Sequence, residues 1–486
     1  MKEKIKNNWI KILFFIIALI FAIPSLNFMI KNGNVKKYYG NWTWLGQIPK
    51  SIGEKYFNAI IFIAFISILF LLYFLLIKKS NKLFKDFKQI LVFILLVSIL
   101  FVIVLPFTSL DIYEYIAGGW IEGHYHENPY YTSVNQINQE YNTNDIMLSR
   151  VANCWKGDTF VYGALWTFIC TVLSTISMGN LTVAVFIFKI AGLIVHLLNC
   201  YLIWKICKNK KFVILYGLNP LVLFETLSNV HNEVFIIFFI LLTIYFVKNK
   251  KCLPLAVMTL AMATSIKYWP ILLLPFIILY GVKDKEKILD KLKFCFLYGI
   301  EFLAIILLLY LRYIKDSSVL FGLFAQQERY NRSITFLIYY LTNKNIAEIM
   351  VKVFLLLFTI MYIRIFIGMI KSVKNNSNLF KFTRKYNAFI VIFTFILITN
   401  FNPWYLMWLF PTMFWLNSKN IKAILDISYA AEIANVCSFA LYSEDDVLGI
   451  PYLIIMIVIT GILMVIQNYN KIKGMIMIHF KKDIKD

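Results

Sequence analysis

The feature that most constrains this chain is the recurrent alternation of apolar runs with short lysine-rich connections. Runs at 12–30, 57–77 and 90–107 are followed by others at 160–178, 181–204, 212–226, 234–247, 253–266, 271–281, 294–313, 346–370, 388–399, 404–416, 421–441 and 450–466. A soluble core cannot bury that much apolar length. A bilayer can, and each crossing takes about 20 apolar residues. Composition agrees, with 486 residues that are 60% hydrophobic and 15% charged. The expected fold is all-α: a polytopic helical bundle of about 12 or 13 membrane spans, some of them shorter buried helices.

The formal net charge is +23. A basic balance can signal nucleic acid. Here the lysines fall in short loops, five at 78–88 and five at 283–293. That is the signature of cytoplasmic loops in a membrane protein. Membrane lipid is therefore an expected partner and nucleic acid is not. Run 12–30 exceeds a signal peptide's apolar core and lacks a small-residue cleavage site, so it reads as an uncleaved helix. Both termini are expected on the cytoplasmic side. One conflict arises. If 160–178 and 181–204 both cross, the basic loop at 205–211 ends up outside, unless one run is re-entrant.

The longest polar stretch, 108–158, carries Asp111, Glu114, Glu122, Glu127, Glu140, Asp145 and Asp158 against Arg150 and Lys156. Its acidity points outside, and loops of this length are usually functional or disordered. Asp111 is the first carboxylate after run 90–107, where a span would meet water. A helix from Asp111 to Tyr115 would set Asp111, Glu114 and Tyr115 on one face. A carboxylate at an apolar boundary is partly desolvated and becomes a better base. The plainer reading is a helix cap or an interface marker.

Other polar residues have double readings too. Lys189, Gly192, His196 and Asn199 share a helix face. A mid-span lysine faces protein or a wet cavity, as part of a substrate path or as a buried partner of Glu225, Glu301 or Glu432. His124 and His126 with Glu122 and Glu127 have ligand chemistry, but no second motif fixes a metal site. Seven cysteines are scattered without a CxxC pair, so neither a disulfide framework nor a zinc site is expected. Lys267, ahead of Trp269-Pro270, suits a phosphate or a snorkelling lysine. Arg329 and Arg332 offer two guanidinium forks. Asn402-Pro403-Trp404-Tyr405 offers rings for a sugar or for an aromatic belt.

Together these motifs resemble a family. Asp111-Ile112-Tyr113-Glu114-Tyr115, continuing to Asn128-Pro129-Tyr130, looks like the first outer loop of the GT-C superfamily of integral-membrane glycosyltransferases. The likeness is nearest to bacterial polyprenyl-phosphate-mannose-dependent mannosyltransferases. Asn219-Pro220-Leu221 to Glu225, His231-Asn232-Glu233, Lys267 ahead of Pro270 and Pro275, and Asn402-Pro403-Trp404-Tyr405-Leu406 to Pro411 extend it over about 90–411. Two departures are Glu233, where the family often has aspartate, and Ile116-Ala117-Gly118-Gly119, where relatives often carry Trp-Asp-Gly.

The resemblance implies an inverting transfer of a hexose, mannose by default, at the outer membrane face. The donor would be a polyprenyl-phosphate sugar and the acceptor a cell-envelope glycan or glycolipid. Asp111 would be the general base. Lys267, Arg329, Arg332, His231 and Glu233 would bind donor phosphate or sugar, and Tyr113, Tyr115, Trp404 and Tyr405 would stack on sugar or acceptor. Relatives with monophosphate donors use no metal or other cofactor. The expected division is a membrane hairpin at 1–89, a catalytic membrane module at 90–345, and C-terminal helices at 346–486. The rival class is a flippase, exporter or polymerase of lipid-linked glycans. Transporters often carry internal repeats with broken helices, and the chain has no such repeat.

Overall fold

The computed structural model describes residues 2–36, 51–248, 252–282, 285–316, 319, 330–374, 390, 393, 398–441 and 452–463. Among these, regular structure is helical apart from an isolated bridge between Asn331 and Asn400. The all-α bundle expected from the apolar runs is what forms. Five helices are long and apolar enough to cross a membrane: Asn8–Asn32, Gly53–Lys78, Leu181–Cys207, Ile288–Tyr310 and Lys344–Ile370. A bent pair, Lys210–Gly217 with Pro220–Ser228, makes a sixth if it counts as one span.

Several expected crossings are instead short helices, and the reason is local. Helix α1 (Lys2–Asn32) and α2 (Ile52–Lys78) run unbroken, but α3 (Phe87–Ile103) stops before Pro106. A proline lacks an N–H and pushes the residue before it out of the helical region. Run 160–178 yields only α6 (Ala164–Ile176), 13 residues. At 1.5 Å per residue that is about 20 Å, short of the roughly 30 Å apolar core. Of the two adjacent runs, only 181–204 forms a helix long enough to cross unaided. Run 212–226 bends by 51° between its two parts. Asn219 caps the second part, its side chain accepting from the N–H of Leu221 at 2.9 Å, with Pro220 in the first turn. Run 404–416 becomes a tight 3₁₀ segment, Pro403–Trp415.

The long polar stretch 108–158 is ordered. It folds into α4 (Asp111–Gly123) and α5 (Val134–Glu140), the latter opened by a capping box between Ser133 and Gln136. Helix α4 lies against α6 at very short range. A Cβ on Gly119 would overlap the carbonyl of Cys170. Small residues let helix backbones approach where lipid supplies no hydrophobic force between them. The Gly118-Gly119 departure therefore has a packing cause.

Two further contacts fix the ground beneath the loop. Phe62, Phe107 and Phe224 pack edge to face with centroids 4.9–5.4 Å apart. Lys189 lies on α7 (Leu181–Cys207) and is fully buried. Its ammonium donates to the carbonyls of Val104, Leu227 and Ser228 at 2.7, 2.7 and 2.8 Å. No carboxylate takes part, so of its two readings neither the substrate path nor the acid partner describes these contacts. Lys189 ties the frayed end of α3 to the bent segment. Farther along α7, the amide of Asn199 donates to the Tyr216 hydroxyl and the Val234 carbonyl.

Candidate active site

Asp111 opens α4, and its position follows from the chain just before it. After α3 ends, the Leu105 N–H donates to Ser25 Oγ at 3.0 Å and the Phe107 N–H to Asn229 Oδ1 at 3.4 Å. Ser109 Oγ donates to Asp111 Oδ1 at 2.9 Å. The Asp111 side chain keeps 10% of its surface exposed. It is thus nearly, but not wholly, withdrawn from solvent, as its place at the end of an apolar run suggested.

The next shell comes from residues more than 100 positions away. The bent segment ends in a π-helical turn, Phe224–Ser228, which carries Glu225. Single π turns are frequent at functional sites because they redirect a side chain. Val230 then takes a left-handed conformation, φ 61°. A β-branched residue pays for that geometry with strain, and the turn delivers His231 between two carboxylates. His231 Nδ1 lies 3.5 Å from Asp111 Oδ2, and Nε2 lies 3.0 Å from Glu225 Oε2. Asn229 Nδ2 donates to Glu225 Oε2 at 2.9 Å and to Thr108 Oγ1 at 2.6 Å. Trp404 covers the imidazole, centroids 3.7 Å apart and planes 17° from parallel. Glu432, on the helix Ser418–Leu441, is also completely buried.

Asp111 and His231 lie outside the apolar spans, and their protonation states are coupled. Burial alone would raise the Asp111 carboxyl. His231, by hydrogen bonding and charge, the Ser109 hydroxyl and the Lys267 charge outweigh burial and hold it below the ordinary value, so the raised basicity expected of a desolvated carboxylate does not arise. Burial alone would lower His231. Asp111 and Glu225 reverse that and push it up to about 9.

Glu233 begins helix Glu233–Lys248 and is ion-paired with Lys267. The Lys267 ammonium stands over the rings of Tyr405 at 4.8 Å, Trp408 at 5.8 Å and Tyr162 at 5.9 Å. Lys267 is thus an aromatic-walled, part-exposed cation. Near it, the buried side-chain atoms of Asn232 and the indole N–H of Trp269 have no partner among the described residues.

The remaining site residues divide into groups. Arg332 is buried with φ 54° and donates to Asn435 Oδ1 at 3.0 Å and Asn402 Oδ1 at 3.4 Å. It is thereby linked to the Asn402-to-Tyr405 motif. Arg329 lies outside the described residues. Tyr113 and Tyr115 are wholly buried. Tyr113 packs under the Arg150 guanidinium at 5.6 Å, and Tyr115 sets its edge on Tyr162 and Trp166 at 5.1 and 5.0 Å. The face of Trp404 meets His231. His124 stacks on Trp120 at 4.5 Å, and His126 has φ 59°. Glu122 is paired with Arg312 at 2.6 Å. Among the described residues no three His, Cys, Asp or Glu side chains gather into a metal-sized group.

Sequence reasoning missed the Asp111–His231–Glu225 row. Glu225 stands in the sequence as the end of the Asn219-Pro220-Leu221 motif and as one of three acids able to pair with Lys189, with no role beside Asp111 in either. Neither the π turn nor the left-handed Val230 leaves a residue-type signal.

Neither a curated protein nor a solved structure matches the chain. A family model described as "Alpha-(1->6)-mannopyranosyltransferase, N-terminal domain" matches residues 17–283. The match takes in Asp111, Glu225, His231, Glu233 and Lys267, the residues that the fold draws together. With more than half of its length matched, the chain belongs to the alpha-(1->6)-mannopyranosyltransferase family.

Proposed function

We propose that this multi-pass membrane mannosyltransferase takes mannose from a polyprenyl-phosphate donor and passes it, with inversion, to a cell-envelope glycan or glycolipid. The observation that carries the reading is Asp111, a carboxylate nearly but not wholly withdrawn from solvent, beside His231 and within the field of Lys267. Asp111 is the general base. It removes the proton from an acceptor hydroxyl as that oxygen attacks the anomeric carbon, while the bond to phosphate breaks on the opposite face. The phosphate gathers negative charge as it leaves. Lys267 and Arg332 are the cations nearest the motif residues, and preorganised cations stabilise developing charge at little reorganisation cost. Asn232 and the Trp269 N–H offer hydrogen bonds to sugar hydroxyls, and Tyr405 a ring wall.

A lipid-linked donor suits the architecture, because the site opens at the end of apolar helices between which a polyprenyl tail can lie. The lysine-rich loops, read by the positive-inside rule, support an outer-face site and cytoplasmic termini. The module at 90–345 supplies the base and Lys267. Trp404 and Tyr405, from the C-terminal part, pack on His231 and Lys267.

The test is donor choice. Membranes carrying the chain are given radiolabelled polyprenyl-phosphate mannose or a nucleotide mannose, with endogenous acceptors. Label should pass from the lipid phosphate into a larger glycan and not from the nucleotide sugar. Direct use of the nucleotide sugar would contradict the donor assignment. Movement of labelled glycan across vesicles without consumption of any donor would favour the exporter reading.

A further inference from the structure

Five asparagines that stand just before an α-helix are Asn180, Asn209, Asn219, Asn343 and Asn417. Each turns its side-chain oxygen onto a backbone N–H of the first turn. Asn232 stands in the same place before the helix Glu233–Lys248, and its side chain caps nothing. That side chain is wholly buried, and both its oxygen and its nitrogen lack a partner among the described residues. The chain forgoes a cap here and also leaves two desolvated groups unfilled. Native structures rarely do so without a reason.

Two neighbours are unfilled in the same way. Glu233 gives Oε1 to Lys267, while its Oε2 is buried without a partner among the described residues. Trp269 stacks on Trp408 at 4.9 Å, and its buried N–H is likewise unpartnered. Tyr405 lies on Trp408 at 4.7 Å, and the Lys267 ammonium stands over both rings. Trp404, next in the chain to Tyr405, covers His231, which lies 3.5 Å from Asp111. The unfilled groups therefore belong to one neighbourhood, that of the Lys267–Glu233 pair beside the base.

We propose that Asn232, Glu233 Oε2 and the Trp269 N–H form the subsite that reads the hydroxyls of the transferred mannose, and so sets the choice of hexose. The proposal deepens the mannosyl-transfer reading and rests on it. The unfilled capacity has a pattern. The carboxylate only accepts, the indole only donates, and the amide does both. A sugar hydroxyl donates and accepts at once, so adjacent hydroxyls can fill all three groups. A phosphate does not fit this corner, because its oxygens bring no proton to the carboxylate and repel its charge. Lys267 fixes Glu233 by one oxygen and leaves the other to the ligand. The rings of Tyr405 and Trp408 give the C–H face of a sugar an apolar wall. A site built to hydrogen-bond a hydroxyl rejects the analogue without it, because its own buried groups are then left unpaired.

The experiment measures binding of methyl α-mannoside and its four monodeoxy analogues to the full chain by ligand-observed NMR. Parent, Asn232→Ala and Trp269→Phe are compared. In the parent, removing a hydroxyl that the subsite reads should weaken binding by about 10-fold. Asn232→Ala should bind the mannoside about 10-fold more weakly and lose the penalty for the hydroxyl that Asn232 reads, while the other penalties stay. Identical deoxy penalties in parent and variants would leave the three groups to water alone and overturn the subsite. So would a parent that shows no saturable binding. If Asn232→Ala does not fold, Trp269→Phe keeps a ring on Trp408 and runs the same cycle. Binding of inorganic phosphate that falls in Asn232→Ala would put phosphate in this corner, and that too overturns the proposal. The mannosides carry neither lipid nor phosphate. Use of a nucleotide donor would therefore contradict the donor assignment and leave this result untouched.

Discussion

At the scale of single residues, the site is built from polar groups whose partners are backbone or one another. Lys189 is the clearest case. Its ammonium satisfies three carbonyls exposed by the end of α3 and by the π turn. Each buried carbonyl left without a donor costs roughly 1–3 kcal/mol, so Lys189→Met should destabilise the chain by about 3 kcal/mol or more. Thermal unfolding in detergent would measure this, and an unchanged midpoint would refute it. His231 and Asp111 predict a pH profile. A histidine raised from 6.5 to about 9 contributes stability that is fully present below 6.5 and is lost as pH rises through about 9. A carboxyl held below 3.8 contributes stability that is present above 3.8 and is lost as pH falls through its lowered value. Melting temperature should therefore plateau between about pH 4 and 6.5 and decline toward 9, with the alkaline decline abolished in His231→Gln. The position of Asp111 at the end of an apolar run was legible, because it is the first acid beyond that run. The Asp111–His231 contact was not, since no local pattern links positions 120 apart.

At the scale of elements, apolar runs told where helices form but not where they stop. Composition over 90–107 is apolar apart from Ser98, yet the helix stops at Ile103 ahead of Pro106 and leaves the Val104 carbonyl that Lys189 collects. Run 212–226 reads as one span, while Asn219-Pro220 bends it and the following π turn aims Glu225. Such breaks depend on tertiary partners, so hydropathy cannot show them. The Gly118-Gly119 pair first stood out only as a departure from a motif. Its role is the tight seam between α4 and α6. Gly119→Leu would drive a side chain into the Cys170 backbone and should cost about 3 kcal/mol. The same change at Gly299, where a Cβ meets nothing within 4 Å, should cost little. Parallel melts of the two variants check this, and equal losses would argue against the seam.

At the scale of the molecule, the fold brings together motifs spread over roughly 300 residues of a helical bundle. The all-α membrane class followed directly from the alternation of apolar and basic segments. The number of long helices did not, because several apolar runs form short or bent helices rather than one long one. The placement of Trp404 over His231 means that the C-terminal part packs directly on the matched N-terminal part at the candidate site. Removing it should abolish transfer even if the first 283 residues still insert.

The most direct measurement is transfer of labelled mannose from polyprenyl-phosphate mannose by equally expressed parent and Asp111→Asn chains in the same membranes. The asparagine keeps the size of the side chain and removes the base. Transfer should fall by at least about 100-fold, while binding of the donor persists. Transfer by Asp111→Asn at the parent rate would contradict the assignment of Asp111 as the base.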